Sequence, residues 1–108
     1  MAASIIGGLL ESGHPAERIS AADPFAESLE RIRAMAPIAV SDDNATAARG
    51  ADVVILAVKP QVMAEAAQSI APAVRENASV VISIAAGITI ASMQARLGPD
   101  AAIVRCMP

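Results

Sequence analysis

The stretch Val53-Val54-Ile55-Leu56-Ala57-Val58-Lys59-Pro60 decides how this chain folds. A short apolar run with no polar interruption, stopped by lysine and proline, reads as a strand buried on both faces whose carboxyl end opens into a loop. In parallel α/β sheets, that end is where ligands bind. A second run, Val80-Val81-Ile82-Ser83-Ile84, leads into Ala85-Ala86-Gly87, and a third covers residues 101–106 before Met107-Pro108. Three strand ends are therefore expected to line one crevice.

Helical patterns alternate with these strands. Residues 1–12 set Ile5 and Leu9, and Ile6 and Leu10, four apart, with Gly13 as the stop and His14-Pro15 beyond it. Residues 18–22 read as a short strand, and Asp23-Pro24 as an N-cap with proline in the first helical position of a helix reaching Met35. Pro37 ends that helix, residues 38–40 form a brief strand, and Ser41 or Asp42 caps a short helix that ends at Gly50. Val62, Ala66 and Ile70 mark a helix over residues 61–70 closed by Pro72, and Thr89 caps a helix over residues 90–97 terminated by Gly98-Pro99.

Strands alternating with helices across short turns specify a doubly wound parallel α/β sheet of the Rossmann type, with right-handed crossovers and helices on both faces. Such a sheet, in order 3-2-1-4-5-6, normally starts with a central strand and a glycine-rich turn before its first helix. Here the pattern opens inside a helix, so the first strand and that turn are expected to be missing. Gly7-Gly8 do not replace the turn, because they lie mid-helix, where small residues let a helix pack closely on the sheet.

Composition narrows the functional classes. The 108 residues are 55% hydrophobic and 18% charged, and the one aromatic is Phe25, so the core is built from Ala, Val, Ile, Leu and Met within a single domain. Eleven acids and eight bases, scattered singly, give a net charge of −3, which argues against a nucleic-acid or anionic-membrane partner. Cys106 stands alone in an apolar strand and reads as a buried thiol, and His14 has no partner for a metal. No apolar stretch is long enough to span a bilayer, and the amino-terminal residues lack the basic region of a signal peptide. The default is a cytoplasmic protein.

Several residues sit where chemistry is expected, each with a plainer alternative. Lys59 is a surface lysine at a strand end, or, with its backbone held by Pro60, a ligand contact. Ala85-Ala86-Gly87 is an ordinary turn, or one small enough for a flat ring to approach the backbone. Asp23 caps the next helix, or accepts from an adenosine ribose hydroxyl, where its charge repels a 2′-phosphate and leans toward NAD. Asn44, in Ser41-Asp42-Asp43-Asn44, starts a helix. Arg105 is a salt-bridge partner or lies near an anionic ligand.

Taken together, Ala57-Val58-Lys59-Pro60-Gln61, Ser83-Ile84-Ala85-Ala86-Gly87-Ile88-Thr89 and Arg105-Cys106-Met107-Pro108 resemble the N-terminal domain of the pyrroline-5-carboxylate reductase family over essentially the whole chain. In that family the first strand ends in a G-x-G-N-M-A-like turn, whose last two letters Met1-Ala2 resemble, and the Arg-Cys-Met-Pro motif goes on to Asn-Thr-Pro. The resemblance implies reduction of 1-pyrroline-5-carboxylate to L-proline with hydride from NADP(H) or NAD(H). It implies cofactor contacts at Ala57, Val58, Lys59 and Pro60, at Ala85, Ala86 and Gly87 near the nicotinamide, and at Asn44 and Asp23 toward the ribose. The family usually favours NADPH, a preference that Asp23 opposes. The resemblance also implies a C-terminal helical domain that forms homo-oligomers and completes the substrate site. Residues 1–108 are thus expected to be a partial NAD(P)-binding domain, inactive alone. The alternatives are another imine reductase or 3-hydroxyacid dehydrogenase of similar build, or a non-enzymatic module that pairs with another chain through an open sheet edge.

Overall fold

A computed structural model describes residues 2–106. Met1, Met107 and Pro108, and with them parts of the first turn and of the third motif, lie outside the described residues. The chain divides into two compact units, Met1–Ala47 and Ala48–Pro108.

The first unit contains α1 (Ala2–Glu11), a 3-10 turn (Ala16–Arg18), β1 (Ser20–Ala22), α2 (Ala26–Met35), β2 (Ala39–Ser41) and the start of α3 (Asn44–Ala48). The stop after α1 is a Schellman motif: Gly13 takes φ +97°, His14 N–H donates to the Leu9 carbonyl (2.9 Å) and Gly13 N–H to that of Leu10 (3.1 Å). β1 and β2 run parallel, with Ala22 opposite Ser41. Ile6, Ile19, Ile32 and Ile38 form the buried cluster beside them.

Two expectations change here. Asp23 does not cap α2: the helix begins three residues later, and the Asp23 carboxylate accepts instead from Phe25 N–H (2.8 Å), closing an Asx turn around Pro24. Asp43, rather than Ser41 or Asp42, supplies the α3 cap, accepting from Thr46 N–H (3.0 Å). Ser41 Oγ accepts from Asp43 N–H (3.0 Å) and shapes the approach to it. As for the paired glycines, a Cβ at Gly7 would touch Met35 of α2 at 3.4 Å, whereas one at Gly8 would meet nothing, so the close neighbour is a helix and not the sheet.

The second unit runs β3 (Val53–Leu56), a 3-10 turn (Pro60–Val62), α4 (Met63–Asn77), β4 (Val80–Ser83), α5 (Ile90–Leu97) and β5 (Ala102–Arg105). Its three strands are parallel in the order β3-β4-β5, with Val54, Val81 and Ile103 in one row. That row and Leu56 lie under α4 and α5, joining Met63, Ala67, Ile70, Val74, Met93 and Leu97 in one apolar cluster. At roughly 1.5–3 kcal/mol for each large apolar side chain taken out of water, this cluster dominates the unit's stability.

Both helices of the unit cover the same face of its sheet. The alternate residues Val53 (51%), Ile55 (36%), Val80 (37%) and Val104 (50%) remain exposed, so β3 is buried on one face and not on both. Cys106, expected to be buried, is exposed, because β5 ends at Arg105 just before it. The α4 helix also passes through Pro72 instead of stopping there. Proline removes one backbone donor and crowds the carbonyl four residues back. That carbonyl belongs to Gln68, on the exposed side, while Ile70, Ala71 and Val74 continue the buried stripe and carry the helix on.

The five parallel strands are thus shared between two sheets, with β1-β2 in one and β3-β4-β5 in the other. This is an α/β fold of parallel strands with surrounding helices, and β3 is an edge strand of its sheet.

Candidate functional site

Because β3, β4 and β5 are parallel and in register, Leu56, Ser83 and Arg105 end them side by side. The loops carrying residues 57–60 and 84–87 therefore leave the sheet at one end, next to Cys106. Backbone bonds hold this end together: Ile84 N–H donates to the Leu56 carbonyl (3.3 Å), and Cys106 N–H to that of Ser83 (2.8 Å). Ser83 is 1% exposed, and its Oγ accepts from Ala85 N–H (3.3 Å), turning the chain out of β4. Sequence reasoning gave Ser83 no role, although a lone hydroxyl in an otherwise apolar strand was the available signal.

Each loop is rigid for a local reason. Lys59 is extended (φ −68°, ψ 147°) and Pro60 opens a 3-10 turn, closed by Val62 N–H donating to the Lys59 carbonyl (3.0 Å). Ala57 and Val58 are half-buried, while Lys59 and Pro60 are exposed. In the second loop, Ala85 is buried and Ala86 and Gly87 are exposed. Gly87 has φ +78°, which a β-carbon would disfavour, and a Cβ built there would meet nothing within 4 Å. The turn thus presents bare backbone to open space, and Thr89 immediately starts α5, its hydroxyl oxygen accepting from Ser92 N–H (3.1 Å). Lys59 and Arg105 are both exposed at this end, which favours an anionic ligand.

The other two candidates belong to the first unit. Asp23 follows β1 and Asn44 opens α3 just after β2, at the carboxyl ends of two adjacent strands. Asp23 N–H donates to the Ser41 carbonyl (3.2 Å), which ties these ends together. The structure therefore groups Ala57, Val58, Lys59 and Pro60 with Ala85, Ala86 and Gly87 in one unit, and Asp23 with Asn44 in the other.

A hollow of about 430 Å³ in the second unit lies at the opposite end of its sheet, among Val74, Arg75, Ala78, Ser79, Pro99 and Ala101. It lies away from the carboxyl ends of the strands, where parallel α/β sheets bind ligands, so the chemistry is read at those ends. Among the described residues no cluster of His, Cys, Asp or Glu is placed to hold a metal, and no helix is long and apolar enough to cross a membrane.

Parallel strands with surrounding helices and bare turns at their carboxyl ends define a Rossmann-like α/β architecture, and the chain belongs to the family described as NADP oxidoreductase, coenzyme F420-dependent, which it matches over residues 1–87. Within that class its similarities are specific. It is 49% identical to the pyrroline-5-carboxylate reductase of Pseudomonas aeruginosa and 44% identical to that of Haemophilus influenzae, in each case over the whole of this chain. A solved pyrroline-5-carboxylate reductase from Coxiella burnetii superposes with a TM-score of 0.94 at 32% identity, covering 99% of this chain and 40% of that one. The Plasmodium falciparum pyrroline carboxylate reductase, solved with NADP bound, shares the fold with a TM-score of 0.77 at 22% identity, covering 94% of this chain and 36% of that one. The chain spans 39% of the length of the two bacterial relatives.

Proposed function

We propose that this chain is the cofactor-binding part of an NAD(P)H-dependent reductase that converts 1-pyrroline-5-carboxylate to L-proline. The observation that carries the reading is the pairing of a rigid Val58-Lys59-Pro60 corner with the bare Ala85-Ala86-Gly87 turn at one end of a parallel sheet, in a chain 49% identical to such a reductase. The residues fit a nicotinamide: Gly87 leaves the space a side chain would fill, and Ala86 adds only a methyl group.

When bound, the reduced dinucleotide supplies a hydride for the imine carbon, and the ring nitrogen of the substrate takes up a proton. The chain's own task is to hold and orient. Ala86 and Gly87, held by the buried Ala85, would give a flat surface for the nicotinamide, and Ala57, Val58 and Pro60 would fix the neighbouring edge of the site. Lys59 offers a cation to the anionic part of the cofactor, and the carboxylate of Asp23 and the amide of Asn44 are the groups of the first unit suited to its ribose hydroxyls. The substrate side of the site, and assembly into a homo-oligomer, belong in this reading to the remaining length of such proteins. A cytoplasmic location is part of the same proposal, supported by a single unpaired cysteine.

The test is to titrate the purified protein with NADH and NADPH, following nicotinamide fluorescence, and then to assay pyrroline-5-carboxylate reduction. Binding without turnover by the 108 residues is expected. Failure to bind either dinucleotide would overturn the cofactor role, and turnover by these residues alone would overturn the division of labour.

A further inference from the structure

Two arginines of the second unit stand in the last turns of their helices, Arg75 in α4 and Arg96 in α5. These helices lie side by side on the sheet. Gln68, Ala71, Pro72 and Arg75 of one, with Ala95 and Arg96 of the other, line a hollow of about 290 Å³. It lies toward the carboxyl ends of both helices, at the end of the sheet away from Lys59 and the Ala85-Ala86-Gly87 turn. Its walls include no acidic residue. A helix dipole favours a cation in the last turn, which accounts for each charge separately. It does not account for both charges opening on one hollow, nor for the way Arg75 is held.

Arg75 is exposed, yet its guanidinium is fixed at two points. Nε donates to the Leu97 carbonyl at 3.0 Å, a contact between residues 22 apart in the chain. The group also rests on Gly98, where a Cβ would come within 3.2 Å of Nε and 3.8 Å of Cζ, so the bare glycine makes its seat. Nη1 and Nη2 have no hydrogen-bond partner among the described residues, where the ion pair is Arg33 with Glu30, so neither Arg75 nor Arg96 faces a carboxylate. Arg96 Nη1 donates to Gln68 Oε1 at 3.5 Å, a weak bond that leaves the Gln68 amide N–H groups as further donors at the same hollow. Arg75 has thus given up part of its rotamer freedom before any ligand arrives, which lowers the cost of using it.

We propose that the hollow between α4 and α5 binds a small, doubly charged oxyanion, a phosphate group or a dicarboxylate, at a site separate from that of the dinucleotide. The free edge of the Arg75 guanidinium matches a pair of anionic oxygens, Arg96 supplies the second charge, and Gln68 donates from the α4 wall. Two cations with no carboxylate between them suit two negative charges better than one. The inference goes beyond the reductase reading and does not depend on it, because none of these residues lies at the carboxyl ends of the strands.

Titration of isotope-labelled protein with sodium phosphate and, separately, sodium succinate tests the site, with ionic strength held constant by sodium chloride and amide and arginine side-chain resonances followed. Saturable shifts are expected at residues 68–75 and 94–98, with a Kd of about 1 mM or below. Their position separates this site from any binding of phosphate at Lys59 and Arg105. The anion that saturates at the lower concentration identifies the ligand class. Arg96→Gln, which leaves the bond to Leu97 intact, is expected to weaken binding about tenfold, and Arg75→Lys, which keeps the charge but not the fork, by a similar factor. Arg18→Gln, an exposed arginine of the first unit, is expected to change nothing. Absence of saturable shifts at α4 and α5 overturns the site. So does an equal loss in Arg18→Gln or full affinity in Arg75→Lys, either of which would reduce it to diffuse surface charge.

Discussion

Eleven residues from α3, β3, α4, β4, α5 and the neighbouring loop close into one buried cluster in the second unit, whereas the first unit gathers four isoleucines, with Leu9, Leu10 and Val40 partly buried around them. The charge at their strand ends differs too, with Lys59 and Arg105 in the second unit against Asp23, Asp42 and Asp43 in the first. The difference teaches that the sheet bearing the Ala85-Ala86-Gly87 turn rests on a continuous core, while the pair of strands in the first unit rests on a smaller one. A unit of fewer than 50 residues with a small apolar cluster lies at the low end of what packs stably, so local opening is expected to start there.

The largest effect should come from the second cluster. Leu97 is fully buried at the end of α5, and Leu97→Ala is expected to cost about 2–5 kcal/mol, a large share of the net stability of any small domain. Urea denaturation with the wild type alongside measures it, and a loss under 1 kcal/mol would erase the contrast between the units. Ile38→Ala in the first unit is expected to cost less, about 2 kcal/mol, because a small cluster relaxes more readily around the gap. Amide exchange locates the effect: exchange should rise in residues 2–47 and stay unchanged in β4 and α5. Equal acceleration in both would show that the two units open as one.

How much of this was legible in the sequence depended on how far each feature reaches. The α5 boundaries were readable to the residue, because Thr89 and Gly98 act through backbone groups at most four residues away. The Ala85-Ala86-Gly87 turn was readable for the same reason, since a glycine after a strand announces a positive φ. Pro72 misled, because a local rule for ending helices was overridden by a buried stripe whose partners come from β3, β4 and α5. The apolar run of β3 misled in another way: it shows that both faces are apolar, not that both are covered. At Asp23, one short side chain suits either a helix cap or a turn, and the Pro24-Phe25 backbone chose the turn.

Capping offers a finer test of the rigid unit. Thr89→Ala removes the acceptor for Ser92 N–H at the start of α5, directly after the proposed nicotinamide turn, and is expected to cost about 1 kcal/mol. If the turn's rigidity matters for binding, the same variant should also weaken dinucleotide affinity by more than a thermal-unfolding shift alone explains. An unchanged affinity would separate the cap from the site.

The smallest effect has the opposite sign. Ala78 closes α4 in the left-handed conformation (φ 53°, ψ 44°), the one non-glycine residue with positive φ among those described. Its N–H and that of Ser79 both return to the Val74 carbonyl, Ser79 at 3.1 Å, so the conformation is enforced by the helix end. The Ser79 hydroxyl then donates to the Ala51 carbonyl at 2.6 Å, and Asn77 Nδ2 to that of Ala48 at 3.1 Å, which anchor the segment leading into β3. A β-carbon in this conformation costs on the order of 1 kcal/mol, and glycine removes that cost. Ala78 is exposed, so its methyl group contributes little packing in return. Ala78→Gly should therefore raise the urea midpoint slightly, by an amount worth up to about 0.5 kcal/mol once glycine's greater freedom in the unfolded chain is subtracted. A loss of stability instead would mean that this end of α4 is not held as tightly as its hydrogen bonds imply, and that the second unit is less rigid than its core.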